Sequence, residues 1–512
     1  MIHNVVKENA YFDSVTLMLF SSKLNVIEGI EEAAVMMGTD HNIDLMLSSK
    51  VLTKEVAEKV TSNDLVIGIR AQSQEVIDEA IAVLNEQFEN KNNDAKKQDV
   101  VVKTVRAAVS EKPELNFSII STPGRFAKKE VLNCLKNDIN VMLFSDNVTL
   151  EDEKELKELA VEKGLLMMGP DCGTAIINGV ALGFANVVNR GNIGLVAASG
   201  TGLQEVTVLV NEFGGGLSQA IGTGGRDLKE AIGGQMALMG LEALNNDPNT
   251  EVIGLISKPP STAVMKKILE KVESFEKPVV ACFLGGDKSI VENSSIYDAY
   301  TLENAARYLV ALANDQEPTP AKELTLDDVK PLSKNNVGKY IRGLYTGGTL
   351  AYETMLLLNE SVGNVYSNIA MDKELELENP ELSVKHTVVD MGEDYFTDGM
   401  AHPMIDPRLR SERIKKEVAD KETAVVLLDC VLGYGSHEDP AGEIVKAIQE
   451  ANQALADREV VYVASVTGTE LDPQVRSQQV SKLESVGVVV LPTNAQAAQY
   501  AALLLQSKGE QQ

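Results

Sequence analysis

The chain has no tryptophan among its 512 residues, only four cysteines and five histidines, and far fewer basic than acidic side chains. Each shortage closes off a class of function. Cys134, Cys172, Cys282 and Cys430 stand far apart with no CxxC pair, so no thiolate metal site or disulfide framework is read. Scattered thiols in apolar segments are small buried side chains, and they fit a cytoplasmic location. His3, His41, His386, His402 and His437 lack any metal-ligand spacing, so no metal is expected. With 47 basic residues against 75 acidic ones the net charge is −28, which speaks against nucleic acid or an anionic membrane as partner. The same field repels an anionic substrate at long range, so local donors have to bind it. No apolar run approaches the ~18 residues of a membrane span. The start, MIHNVVKENAYF, lacks the basic-then-apolar pattern of an export signal. No GxxxxGK[ST] and no complete strand-linked GxGxxG with a ribose acid occur, so ATP and NAD sites are not indicated.

What is present is a pattern written twice. Gly194–Glu205 reads GLVAASGTGLQE and Gly343–Glu353 reads GLYTGGTLAYE. Each is an apolar run, a Gly/Ser/Thr loop and a helix-like segment. A strand feeding such a loop at a helix N-terminus presents free N–H groups and the positive end of the helix dipole, which together hold an anion.

The chain around these copies divides by pattern. Residues 1–90 predict a small ferredoxin-like α+β domain: a helix capped at Asp13-Ser14, strands at Ala33–Gly38 and Asp64–Ala71, and a helix to about Phe88. ENKNNDAKKQD, residues 89–99, reads as a linker. Residues 100–178 predict a partial Rossmann unit, and residues 180–312 a flavodoxin-like unit. The Pro-punctuated stretch 313–336 reads as a second linker, followed by a second flavodoxin-like unit at 337–512. The last two units correspond strand by strand, so the fold class is α/β with parallel sheets. Ligands then bind beyond the carboxyl ends of the strands.

Four loops fall at those ends. Ser199, Gly200, Thr201 and Gly202 form the first, and Thr346, Gly347, Gly348 and Thr349 its counterpart. Gly224 and Gly225 precede Arg226-Asp227 in the third, and Thr467-Gly468 belongs to the fourth. These residues are the candidate phosphate or substrate binders. Arg226 suits a carboxylate or phosphate clamp, or else an internal contact with Asp227 or a helix end. Lys258, His402 and His437 are the other candidates for catalysis, while Cys172 has no histidine near it in sequence and reads as a buried or loop-lining thiol.

The residues also carry a family resemblance. GPDCGT at Gly169–Thr174 and GNIGLVAASGTGLQE resemble the α subunit of succinyl-CoA synthetase, and the C-terminal unit resembles the last domain of its β subunit. IGTGGRD, SKPP, GLYTGGTLA, YFTDGMAHPMIDPRLR, VLLDCVLGYGSHEDPAG and SVTGTELDPQVRSQQ extend the likeness to the FdrA family of acyl-CoA synthetase-like proteins, over nearly the whole chain. The departures fall on the chemistry. The ligases carry a phosphohistidine in a Gly-His-Ala-Gly loop, and Leu284–Thr301 here has no histidine. Their acidic Glu-Ile-Gly-Gly loop is replaced by Ser257-Lys258-Pro259-Pro260, and neither the ATP-grasp domain nor the Gly-rich start of the CoA-binding domain has a counterpart. The resemblance implies a carbamoyl- or acyl-phosphate transferase subunit, first of all of oxamate carbamoyltransferase in allantoin breakdown, which converts oxalurate and phosphate to oxamate and carbamoyl phosphate. The alternatives are an NDP-forming acyl-CoA synthetase component, for which CoA would be a substrate, and a non-catalytic scaffold or metabolite-binding subunit. Expected partners are phosphate, carbamoyl or acyl phosphate, and further protein subunits or copies of the chain.

Overall fold

The computed structural model describes the chain except residues 9, 11, 13, 28, 95–101, 287–290, 292–293, 398–399, 456 and 510–512. The cap expected at Asp13 and much of the linker expected at 89–99 lie outside the described residues. The chain forms two compact units, Met1–Lys103 and Thr104–Gln512.

In the first unit three antiparallel strands lie in the order Ile2–Lys7, Leu65–Ala71, Ile30–Met37. The alternation of LVIGIRA puts Leu65, Ile67 and Ile69 on one face. There they pack on Leu17, Phe20 and Leu24 of the helix Ser14–Asn25 and on Ile77 and Leu84 of the helix Gln74–Asp94. Val66 turns to the other face with Met46, Val51 and Leu52. This is a ferredoxin-like α+β fold. Two departures from expectation are physical. Ile2–Lys7 is a half-polar edge strand, IHNVVK, that only its partner's backbone specifies, and the second helix runs past Phe88 to Asp94 because Glu, Asn and Lys extend a helix at little cost.

The second unit starts with three short parallel strands, Phe117–Ile120, Asn140–Leu143 and Met167–Met168, linked by the helices Gly124–Lys136 and Leu150–Lys163. Thr149 caps the latter by accepting from the N–H of Asp152, as its sequence suggests. Next come five parallel strands in the order Leu217–Gly222, Arg190–Ala198, Val252–Ser257, Val279–Phe283, Ile296–Asp298, which is the flavodoxin-like order 2-1-3-4-5. A hairpin, Thr174–Ile177 with Val180–Gly183, pairs antiparallel along its edge, and the boundary expected at 178–180 falls on that hairpin's turn.

The order then repeats. His386–Asp390, Tyr340–Tyr345, Thr423–Val431, Val461–Thr467 and Val489–Leu491 form a second 2-1-3-4-5 parallel sheet, with Val365–Ser367 added at its edge. The two sheets share one core. Leu203, Val206 and Val210 of the helix Gly200–Glu212 and Ala305 and Leu309 of the helix Leu302–Ala313 meet Leu350, Ala351 and Met355 of the helix Gly348–Val362 and Ala497 and Ala501 of the helix Asn494–Gly509. That packing brings the two Gly/Ser/Thr loops together.

Candidate functional site

The two repeated helices approach through their first turns. Ser199 caps the Gly200 helix by accepting from the N–H of Gly202 at 3.1 Å, and its Oγ lies 2.7 Å from Thr349 Oγ1. The N–H of Thr349 donates to Thr201 Oγ1 at 3.2 Å. Ser199, Thr201, Gly202 and Thr349 are therefore one contact, as two copies of a single unit facing each other would make. The first turn of any helix leaves amides without helical partners, so the question is what satisfies them.

The two loops answer differently. At the second, the carboxylate of Asp429 accepts from the N–H groups of Thr346 and Gly347, the latter at 2.7 Å, and from the Thr346 hydroxyl at 3.1 Å. Arg410 Nη1 donates to the same carboxylate at 2.9 Å. Burial pushes the Asp429 carboxyl up, and Arg410 with the two N–H groups pulls against it. Thr346 and Gly347, expected to bind substrate phosphate, thus hold an anion the chain itself supplies. Gly348 stands against Asp390, whose Oδ2 would lie 2.4 Å from any Cβ placed there. The first loop has no such occupant, because the matching strand Val252–Ser257 reads VIGLIS and contains no acid.

At the first loop the structure leaves a small solvent-open hollow. Its walls come from three strand ends: Ala197, Ser199 and Gly200; Gly222 and Gly224; and Asp171 to Thr174. Two glycines set this closeness. Gly169, at φ +96, would drive a Cβ to 2.1 Å from the Leu143 carbonyl oxygen, and Gly224, at φ +83, to 2.2 Å from that of Pro170. A Cβ on Gly200 would meet only Thr174 Oγ1, at 3.8 Å. A second hollow, between Met265, Phe283 and Tyr300, includes no residue of either loop.

The remaining candidates separate. Arg226 is committed to the scaffold: its Nε lies 2.8 Å from Glu153 and its Nη2 donates to the Val148 carbonyl. Its internal partner is thus Glu153, and Asp227 turns instead to Lys157 at 2.8 Å and to the N–H groups of Met236 and Ala237. Lys157 is fully buried, between Glu153, Asp227 and the Thr223 carbonyl, and pins the Gly224-Gly225 loop from beneath. Lys258 lies 5.1 Å from the Tyr352 ring and its charge opposes the upward push of burial on the Asp390 carboxyl, which stands at about 6. His402 is pushed down to about 4 by burial, accepts the Met404 N–H at Nδ1 and packs on Phe184, so it is a neutral structural ring at pH 7. His437 accepts from the Asp439 N–H, and neither histidine lines the hollow.

The Thr467-Gly468 loop needs correction. Thr467 is buried and donates to Glu205 at 2.6 Å, and a Cβ on Gly468 would strike Leu432. Both residues are thus taken up by internal contacts. Glu205 and Glu353, the last residues of the two written patterns, are both buried and share Asn494: its N–H donates to Glu205 and its Nδ2 to Glu353. Burial raises both carboxyls, Glu353 to about 7. Cys172, on the hollow's wall, donates to the Gly222 carbonyl, and burial pushes its thiol to about 12, which makes it no nucleophile.

Two facing flavodoxin-like layers meet here at Gly-rich helix N-termini, and comparison with known proteins places this arrangement. Residues 344–504 match the CoA-ligase family, and residues 1–104 match the domain described as AllF, heavy metal-associated. The chain is 46% identical to the uncharacterized protein YahF of Escherichia coli strain K12 over 95% of each chain. It is 29% identical to the α subunit of the ADP-forming succinate–CoA ligase of Methanothermobacter thermautotrophicus, covering 35% of this chain and 60% of that subunit. It is 26% identical to the ADP-forming sulfoacetate-CoA ligase subunit SqwL of Acholeplasma sp over 34% of this chain and 60% of that one. The chain belongs to the FdrA family of acyl-CoA synthetase-like proteins.

Residues 1–104 contain no cysteine, so the first unit offers a metal ion no thiolate. Among the described residues no cluster of His, Cys, Asp or Glu is arranged to hold a metal ion. Among the same residues no helix is long and apolar enough to cross a membrane.

Proposed function

We propose that the chain is the acyl-transfer component of a CoA-ligase-type enzyme. An acyl phosphate places its phosphate end on the first turn of the Gly200 helix, and an acceptor thiol such as that of CoA takes the acyl group. One observation carries this reading: of two matching cradles, one is filled by Asp429 and the other opens on a solvent-facing hollow at the Gly200 helix start. Preorganised N–H donors stabilise the charge that develops as the acyl group moves. The expectation from sequence put carbamoyl transfer first; the CoA-ligase match puts ligase-type acyl transfer ahead of it.

A second reading stands on a separate observation. Leu284–Thr301 contains no histidine, so the chain cannot carry a phosphoryl group there between nucleotide and acid. Carbamoyl transfer from oxalurate to phosphate needs no such relay. The test offers the chain, alone and with candidate partner subunits, acetyl phosphate plus CoA, and in parallel oxalurate plus phosphate. Acyl-CoA formation supports the first reading, and carbamoyl phosphate release supports the second. Turnover of neither leaves a scaffold and rejects both.

A further inference from the structure

The hollow beside the Gly200 helix holds donors for an anion, but acyl transfer also moves a proton. We infer that Asp171 is the proton-transfer group of this hollow, receiving the acceptor's proton and passing it to the departing phosphate. The inference rests on the acyl-transfer reading above.

The lining decides the choice. Of the residues that wall the hollow, only Asp171 and Cys172 titrate, and the Cys172 proton is held toward the Gly222 carbonyl. Arg226, Lys258, His402 and His437 do not line it. Asp171 therefore supplies the one carboxylate among the described residues that line the hollow. Its backbone is set for display: φ is +55, and its N–H donates to the Ser145 carbonyl at 3.0 Å while that of Cys172 donates to the Leu143 carbonyl. A non-glycine residue held in the left-handed region is a feature that functional sites tolerate. The Asp171 carboxylate makes no hydrogen bond or ion pair among the described residues, unlike Asp227 and Asp429, which are fully engaged.

Its surroundings tune it in the useful direction. The residue is exposed, so solvent screens part of what its neighbours do to its carboxyl. Desolvation by the protein packed around the carboxyl first, then Asp146 and Asp394, push it up toward about 6, with Arg226 opposing and Asp390 adding. Such a group is mostly ionised at neutral pH and still basic enough to take a proton. The step balances. The acceptor X–H attacks the acyl carbonyl carbon, the C–X bond forms, and the C–O bond to phosphate breaks with its electron pair leaving on phosphate. The proton passes from X to Asp171 and on to the phosphate, which restores the carboxylate.

The experiment follows acyl transfer from acetyl phosphate to CoA by the full chain with its partner subunits, from pH 5 to 8. Wild type gains activity through an acid limb near 6. Asp171→Asn lowers turnover by about a hundredfold or more and loses that limb, while inorganic phosphate still binds. Asp146→Asn keeps the maximal rate and moves the limb to lower pH, a shift that a purely structural role does not produce. If wild type is active and both variants keep its rate and limb, Asp171 is not the proton carrier and the acyl-transfer reading survives. If wild type transfers no acyl group, that reading falls and this inference with it.

Discussion

At single residues, the structure separates side chains that hold the protein together from those free to meet a ligand. Lys157 belongs to the first kind. Removing its ammonium leaves Glu153 and Asp227 buried without their shared cation, so Lys157→Met should cost about 3–5 kcal/mol, read as a lower denaturant midpoint with an unchanged slope. Gly200 belongs to the second. A Cβ there makes only an ordinary contact with Thr174 Oγ1 at 3.8 Å, so Gly200→Leu should leave the melting temperature within a few degrees and weaken phosphate binding at least tenfold in a calorimetric titration. Neither role is visible in composition. Arg226 looked like a clamp because Gly-Gly-Arg-Asp at a strand end has that form, but Glu153, distant in sequence, claims the guanidinium. The buried acids carried a signal that could have been followed. Asp429 interrupts an otherwise apolar strand, TAVVLLDCV, and a charge in such a place needs a partner.

At the level of elements, the doubled strand–loop–helix pattern was legible because hydrophobic runs and glycines are local features. The 2-1-3-4-5 order of both sheets follows from strand–helix alternation and right-handed crossovers. What could not be read was how the two copies share out the work. Both loops have the glycines, yet the second is closed by an acid from the neighbouring strand and the first is not. Thr467 shows the same limit: a hydroxyl at a strand end looks the same in sequence whether it faces solvent or Glu205. The edge strand Ile2–Lys7 and the hairpin at Thr174–Gly183 were missed because long-range pairing, and no local period, defines them. The Asp429 loop should behave as a closed structural element. Thr346→Val removes one hydroxyl from Asp429, costs about 1 kcal/mol, and should leave phosphate affinity unchanged.

For the whole molecule, the interface between the two sheets carries a pH signature. Glu353 and Glu205 are buried at matching places on the facing helices, and the Glu353 carboxyl is raised from 4.5 to about 7, burial being the first cause, with Glu205 and Glu303 adding. A carboxyl raised on folding binds more protons in the native state than in the unfolded chain, so its share of stability is full below about 4.5 and is lost as pH rises through about 7. The melting temperature of Glu353→Gln should therefore fall less than that of wild type between pH 5 and 8. An identical slope in both would show that Glu353 is ionised throughout.

The central claim is that one cradle is open and its twin is shut by the chain's own carboxylate. Phosphate titrated into wild type, Gly200→Leu and Thr346→Val, followed by calorimetry, tests it most directly. The account predicts one site per chain, lost in Gly200→Leu and kept in Thr346→Val. Two equal sites, or binding that survives Gly200→Leu and fails in Thr346→Val, would contradict it.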